Sequence, residues 1–131
     1  MELISFVIPC YRSEKTIEGV VDEINAKMKE LSNSVHAAYV HEIVLVNDCS
    51  PDGTMAVIKK ICDKYDNVTG VDFARNFGQH SALMAGLREA KGDIVICLDD
   101  DGFIYTVSLM AENQDNIRRL NATGSDILIR D

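Results

Sequence analysis

Three consecutive carboxylates, Asp99, Asp100 and Asp101, follow the apolar run Ile94 to Leu98. Adjacent carboxylates repel one another unless a cation or solvent relieves them, and clustered oxygen donors suit a hard divalent ion. Polar residues also follow the other apolar runs: Pro9-Cys10-Tyr11, then Asn47-Asp48-Cys49-Ser50, then Arg75-Asn76-Phe77-Gly78. Tyr11 offers an aromatic face to a base, Asp48 can accept a hydrogen bond from a ring N–H, and the acidic cluster can hold a metal. Together these residues suit a nucleoside diphosphate. No G-x-G-x-x-G follows the first run and no G-x-x-x-x-G-K-[ST] occurs anywhere. Diphosphate charge would therefore be met by a metal on the carboxylates, with Arg75 as a further cation.

Residues so distant in sequence can meet only if the runs that precede them lie side by side. Leu3 to Ile8, Glu42 to Val46 and Asp93 to Leu98 are rich in Ile and Val, the pattern of buried parallel strands. Val68 to Phe73 and Asp126 to Ile129 are weaker runs of the same kind. Between them Ile17, Val20, Val21, Ile24, Met28 and Leu31 share a helical face, as do Val57, Ile58, Ile61 and Tyr65. The second of these helices is expected to open with Ser50 as its cap, Pro51 in its first position and Asp52 against the positive end of its dipole. A third helix is expected from about Gln79 to Ala90, closed by a left-handed Gly92, and a fourth from about Val107 to Leu120. Ser32 to His41 reads as the long surface loop. The alternation predicts a three-layer α/β/α fold with a mainly parallel, Rossmann-like sheet, which binds ligands beyond the carboxyl ends of its strands.

The chain has 131 residues, 47% of them hydrophobic, which is the size of one domain with one core. A net charge of −8 argues against nucleic acid as a partner. The four cysteines form no C-x-x-C pair and stand in apolar settings, so they read as reduced core thiols. The apolar stretch Leu3 to Pro9 is short and follows Glu2, which fits neither a signal peptide nor a membrane span, and a cytoplasmic location is expected. Several residues have plainer readings. Asp48 could cap the helix that follows it, Tyr11 could be an ordinary half-buried aromatic, and Arg75 could serve a surface ion pair. His80 belongs to the start of the third helix, and the methionines read as core filling.

Four ordered blocks carry a resemblance to a known family. The segment Ser5-Phe6-Val7-Ile8-Pro9-Cys10-Tyr11 resembles the opening strand of the inverting, metal-dependent family 2 glycosyltransferases, and Glu42 through Asn47-Asp48-Cys49-Ser50-Pro51-Asp52-Gly53-Thr54 resembles their second. Phe73-Ala74-Arg75-Asn76-Phe77-Gly78-Gln79-His80 through Leu87 is similar to members that use polyprenyl-phosphate acceptors, and Gly92 to Asp101 ends in a D-x-D signature. The resemblance implies the nucleotide-binding half of a GT-A fold. It implies that Asp48 recognises the base, with Pro9 and Tyr11 around it, that Asp99 faces the ribose or the metal, and that Asp101 binds Mg²⁺ or Mn²⁺. The implied donor is a UDP- or GDP-sugar and the implied acceptor a lipid phosphate or glycan.

The sequence departs from the family at Arg12, where Asn is common, at Asn47, where Asp is frequent, and after Asp101, where Gly102-Phe103-Ile104-Tyr105-Thr106 replaces a donor-site loop with Gln and Pro. The family's acceptor region and general base lie beyond the stretch matched, so residues 1–131 are expected to form a nucleotide-sugar-binding domain cut short before them. Membrane association would follow only from helices of a longer chain. Two other readings compete: a receiver-like, Mg²⁺-binding phosphoacceptor domain, and an oligomerising fragment that pairs through an exposed sheet edge. The first predicts a lysine after a late strand, and none follows Ile94 to Leu98.

Overall fold

A computed structural model describes residues 2–34, 39–100 and 104–109, the last stretch by its backbone. Its elements run β1 (Glu2–Cys10), α1 (Ile17–Ser34), β2 (Tyr39–Asn47), α2 (Thr54–Lys64), β3 (Val68–Asp72), α3 (Gln79–Glu89), β4 (Ile94–Leu98) and β5 (Ile104–Leu109). The sheet order is β3-β2-β1-β4-β5. The first four strands are mutually parallel, and β5 runs antiparallel to β4. The mainly parallel sheet predicted from the sequence is therefore present.

Alternation along the strands divides the core into two layers. Ile4, Phe6, Ile8, Ile43 and Leu45 face α1 and α2, where they meet Ile17, Val21, Ile24, Ile58 and Ile61. Val7, Val44, Val46, Val95 and Cys97 face the other way, onto Ala82, Leu83 and Leu87 of α3. Helices on both faces explain why the central strands read as unbroken apolar runs. Each large aliphatic side chain so buried contributes about 1.5–3 kcal/mol, and the two layers hold most of them.

Several boundaries differ from the sequence reading. The segment Ser32 to His41 is not one loop, because α1 continues to Ser34 and β2 begins at Tyr39, where ladder pairing with Glu2 extends the strand past its apolar residues. The second helix begins at Thr54, with Ser50 to Asp52 in the turn before it. Ser50 does not cap it; Asp52 does more of that work, since its Oδ1 accepts the Thr54 N–H at 3.0 Å. Val107 to Leu109 belong to β5 rather than to a helix, because the open edge of β4 pairs with them. The rest of the expected fourth helix and the run Asp126 to Ile129 lie outside the described residues. Among the described residues no helix is long and apolar enough to cross a membrane.

Burial of the thiols is uneven. Cys10 and Cys97 are buried on opposite faces of the sheet, whereas Cys49 and Cys62 are half-buried, and all four are free. Burial pushes the Cys97 thiol up to about 12. Met28 is core filling as expected, at 7% exposure. His41 lies in β2, not in a loop, edge-on to Phe6.

Gly92 also departs from its expected role. Among the described glycines only Gly78 has a positive φ, and α3 has already ended at Glu89 with Ala90 extended. What Gly92 provides is close approach: a Cβ there would stand 2.8 Å from both the Leu3 carbonyl oxygen and the Ser5 nitrogen. Backbone atoms cannot move aside as a side-chain tip can, so Gly92→Ala is expected to destabilise the fold by about 2 kcal/mol or more, read as a lower urea midpoint at unchanged slope.

Candidate functional site

The strand order reverses across β1 and β4, and the crevice beyond their carboxyl ends is where this class of sheet binds ligands. A cleft of about 530 Å³ opens there. Pro9 near the end of β1, Tyr11 just after it, Asp48 after β2, Asn76 from the β3–α3 connection, Gln79 at the start of α3, and Asp99 and Asp100 after β4 line it. Four of the sequence-predicted residues, Pro9, Tyr11, Asp48 and Asp99, are thus brought together. Tyr11 is 42% exposed, so its ring is available from the cleft rather than packed into the core. Arg75 is not among the lining residues; it is exposed, with its guanidinium 4.8 Å from the centroid of the Phe77 ring. Asp101 lies outside the described residues.

Asp48 is only 4% exposed and has a structural task. Its Oδ1 accepts the Phe77 N–H at 2.8 Å, and its Oδ2 accepts the Gly78 N–H at 3.0 Å. Its own N–H donates to the Cys10 carbonyl, and the Asn76 side-chain amide donates to its carbonyl. The carboxylate therefore caps the approach to α3, not to α2 as the capping alternative held. Gly78, the residue before α3, has φ 98°, a conformation that glycine adopts without a Cβ penalty. Asn47 fixes the neighbouring turn: its side chain donates to Asp72 at 2.9 Å and accepts the Ser50 N–H at 3.1 Å.

Two residues of the site were not singled out in the sequence. Ser13, fully buried, donates its N–H to Thr54 Oγ1 at 2.9 Å and its hydroxyl to Asp100 Oδ2 at 2.5 Å. Thr54, also fully buried, donates its hydroxyl to Asp52. Nothing in their local pattern separates them from ordinary loop serines and threonines. Burial on its own raises the Asp52 pKa, but hydrogen bonds donated by Ser50 and Thr54 outweigh it and bring the carboxyl down to about 2. Cys10, beneath the cleft, is raised far above the ordinary thiol range, first by burial and then by the charge of Asp100.

The donor chemistry of the cleft is carboxylate oxygen. Among the described residues no group of three or more His, Cys, Asp or Glu side chains is arranged to hold a metal ion. Mg²⁺ and similar hard ions commonly take one or two carboxylates and complete their shell with water and substrate phosphate, so a cleft with carboxylates at one end fits such an ion once a diphosphate is present.

Residues 5–119 match the model of Glycosyl transferase family 2. Over 102 residues the chain is 36% identical to the undecaprenyl-phosphate 4-deoxy-4-formamido-L-arabinose transferase of Aeromonas hydrophila, covering 77% of this chain and 29% of that protein. It is 36% identical over 99 residues to the transferase of the same name from Pseudomonas fluorescens, covering 75% and 27%. Among solved structures it resembles the mannosyltransferase PcManGT from Pyrobaculum calidifontis in complex with GDP-Man and Mn²⁺, with TM-score 0.61, 25% identity and coverage of 75% of this chain and 27% of that one. It also resembles S. aureus TarS 1–349 in complex with UDP-GlcNAc, with TM-score 0.59, 28% identity and coverage of 77% and 27%. The chain thus spans under a third of the length of these relatives.

Two outcomes follow from the geometry. Arg12 has φ 56° and its N–H is held by Ser50 Oγ at 2.8 Å. Left-handed backbone costs an ordinary side chain about 1–2 kcal/mol and Asn less, so Arg12→Asn is expected to raise unfolding stability by about 0.5–1 kcal/mol in urea titrations. The depressed Asp52 pKa stabilises the fold above the unfolded value near 3.8, and that contribution is lost as pH falls through about 2. Asp52→Asn is expected to flatten the fall in stability between these pH values, as followed by circular dichroism.

Proposed function

The chain belongs to the family 2 glycosyl transferases, and from that premise we propose that it forms the nucleotide-sugar-binding domain of an inverting glycosyltransferase. The observation that carries this reading is the convergence of Pro9, Tyr11, Asp48 and Asp99 on one cleft at the reversal of strand order. Family membership also displaces the receiver-like alternative, whose sheet would be wholly parallel, whereas β5 here is antiparallel.

In the proposed binding mode Tyr11 presents its ring to the base, with Pro9 beside it. Asp48 accepts a ring N–H; each carboxylate oxygen has further lone-pair capacity beyond the backbone N–H groups it already takes. The same carboxylate thereby couples base recognition to the position of the β3–α3 connection. Asp99 faces the ribose or the metal, and Asp101 serves the metal. A bound Mg²⁺ or Mn²⁺ would supply positive charge to the diphosphate as it becomes the leaving group. Arg75, exposed and stacked on the Phe77 ring one residue from the lining residue Asn76, provides a further cation for phosphate. The donor is a UDP- or GDP-sugar, a choice supported by relatives solved with GDP-Man and with UDP-GlcNAc.

The acceptor we propose is a polyprenyl phosphate, in keeping with the undecaprenyl-phosphate transferases it resembles. A phosphate acceptor is already anionic, so its attack makes less demand on a general base than that of a neutral hydroxyl. The part of that reaction proposed for this domain is donor and metal binding.

A thermal-shift titration with UDP and GDP, each with and without Mn²⁺, tests the reading. Binding to the native state alone adds RT ln(1 + [L]/Kd), about 2.7 kcal/mol at a hundredfold excess over Kd, so a clear upward shift that needs Mn²⁺ is expected for at least one nucleotide. No shift with either nucleotide would rule the assignment out.

A further inference from the structure

We propose that Asp52, which is not among the residues lining the cleft, is a positioning residue for nucleotide binding, acting through Ser50 and Thr54 to hold Tyr11 in place against the base. The inference rests on the nucleotide binding proposed above. It arises from the way the loop after β1 is tied down. The N–H groups of three successive residues each donate to a side-chain hydroxyl: Tyr11 to Ser13 Oγ at 3.0 Å, Arg12 to Ser50 Oγ at 2.8 Å and Ser13 to Thr54 Oγ1 at 2.9 Å. Ser50 and Thr54 belong to the turn before α2 and to its first residue. Both donate their own protons to one atom, Asp52 Oδ1, at 2.5 Å.

The directions of these bonds are fixed by chemistry. A backbone N–H can only donate, a hydroxyl has one proton, and an ionised carboxylate can only accept. Burial raises the Asp52 pKa, but the hydrogen bonds from Ser50 and Thr54 outweigh it and hold the carboxyl at about 2, so it is ionised at neutral pH. Asp52 therefore takes the protons of both hydroxyls and leaves their lone pairs to Arg12 and Ser13. The Thr54 N–H adds a third donor to the same oxygen at 3.0 Å. Ser13 and Thr54 are fully buried, where an unmet N–H or hydroxyl costs more than a hydrogen bond returns. Tyr11 is exposed, so the backbone of residues 11–13, rather than core packing, sets where its ring stands. Arg12 in that loop has φ 56°, which its side chain disfavours, so the loop keeps its shape only through ties to other segments. One carboxylate oxygen thus orients two anchors of the loop that carries the aromatic face.

The test is isothermal titration calorimetry on the full chain with UDP and with GDP, each with Mn²⁺, at a temperature where each variant used is folded by circular dichroism. Tyr11→Ala is expected to weaken nucleotide binding about tenfold, the size of one base–aromatic contact, and Asp52→Ala to weaken it to a similar extent. Combined, the two changes should cost little more than Tyr11→Ala alone, because Asp52 acts through a ring that is no longer there. A purely structural role for Asp52 would instead multiply the two losses to about a hundredfold. That outcome overturns the inference, as does Asp52→Ala with unaltered affinity. Thr54→Val and Thr54→Ser keep the question open to refutation if Asp52→Ala does not fold. Thr54→Val, which lacks the hydroxyl, should weaken binding when Tyr11 is present and not when it is Ala, and Thr54→Ser should restore most of the loss. Equal affinities of these two variants would overturn the inference. An unaltered chain that binds neither nucleotide overturns the proposed function and this inference with it.

Discussion

Parallel pairing of β1 with β2 on one side and β4 on the other sends the residues after all three strands to the same edge of the sheet. A parallel ladder permits no other outcome, because each strand needs a crossover to return to its starting edge before it can run alongside its neighbour. The crossovers leave on different faces. Helices α1 and α2 pack on one side of the sheet and α3 on the other, so a gap opens beyond β1 and β4 where no connection passes. The cleft occupies that gap.

A gap between loops is useful only if the loops hold still, and here they are held by side chains buried in the connections. Asp48 grips the Phe77 and Gly78 N–H groups, Asn47 spans from Asp72 to Ser50, and Ser13 bridges Thr54 and Asp100. All but the Asn47–Ser50 contact cross long sequence separations, and together they join the ends of β1, β2, β3 and β4. Buried polar groups of this kind are costly when unpaired and directional when paired, so they specify loop geometry more sharply than apolar packing would.

The strain in the site follows from the same arrangement. Arg12, Cys49 and Gly78 all have positive φ, and each stands just before or after a residue of the cleft or of its ties. The chain must leave a strand, present a side chain to the cleft and turn toward a helix within a few residues, which ordinary extended or helical dihedrals do not allow. Only Gly78 meets that need without cost. At Arg12 the amide hydrogen bond to Ser50 holds the turn against the preference of the side chain.

The strands, the helix faces and the acidic turn were legible in the sequence because each is a local pattern: β-branched runs, a repeat near 3.6 and three adjacent acids. The cleft residues Pro9, Tyr11, Asp48 and Asp99 were legible too, since strand ends in a parallel sheet must meet and the family motifs mark the same positions. Boundaries were less so. The extension of β2 to Tyr39 and the pairing of Val107 in β5 depend on a neighbouring strand that offers unpaired backbone groups, which no window of sequence contains. Gly92 showed as a helix stop but is required by the backbone of β1, seen only once the two segments are packed together. Ser13 and Thr54 carried no signal at all, because their partners lie 41 and 87 residues apart along the chain from Ser13. Local chemistry chose the elements and the residues at the strand ends; tertiary contact alone decided which polar atom would hold which, because a hydrogen bond is selected by distance in space.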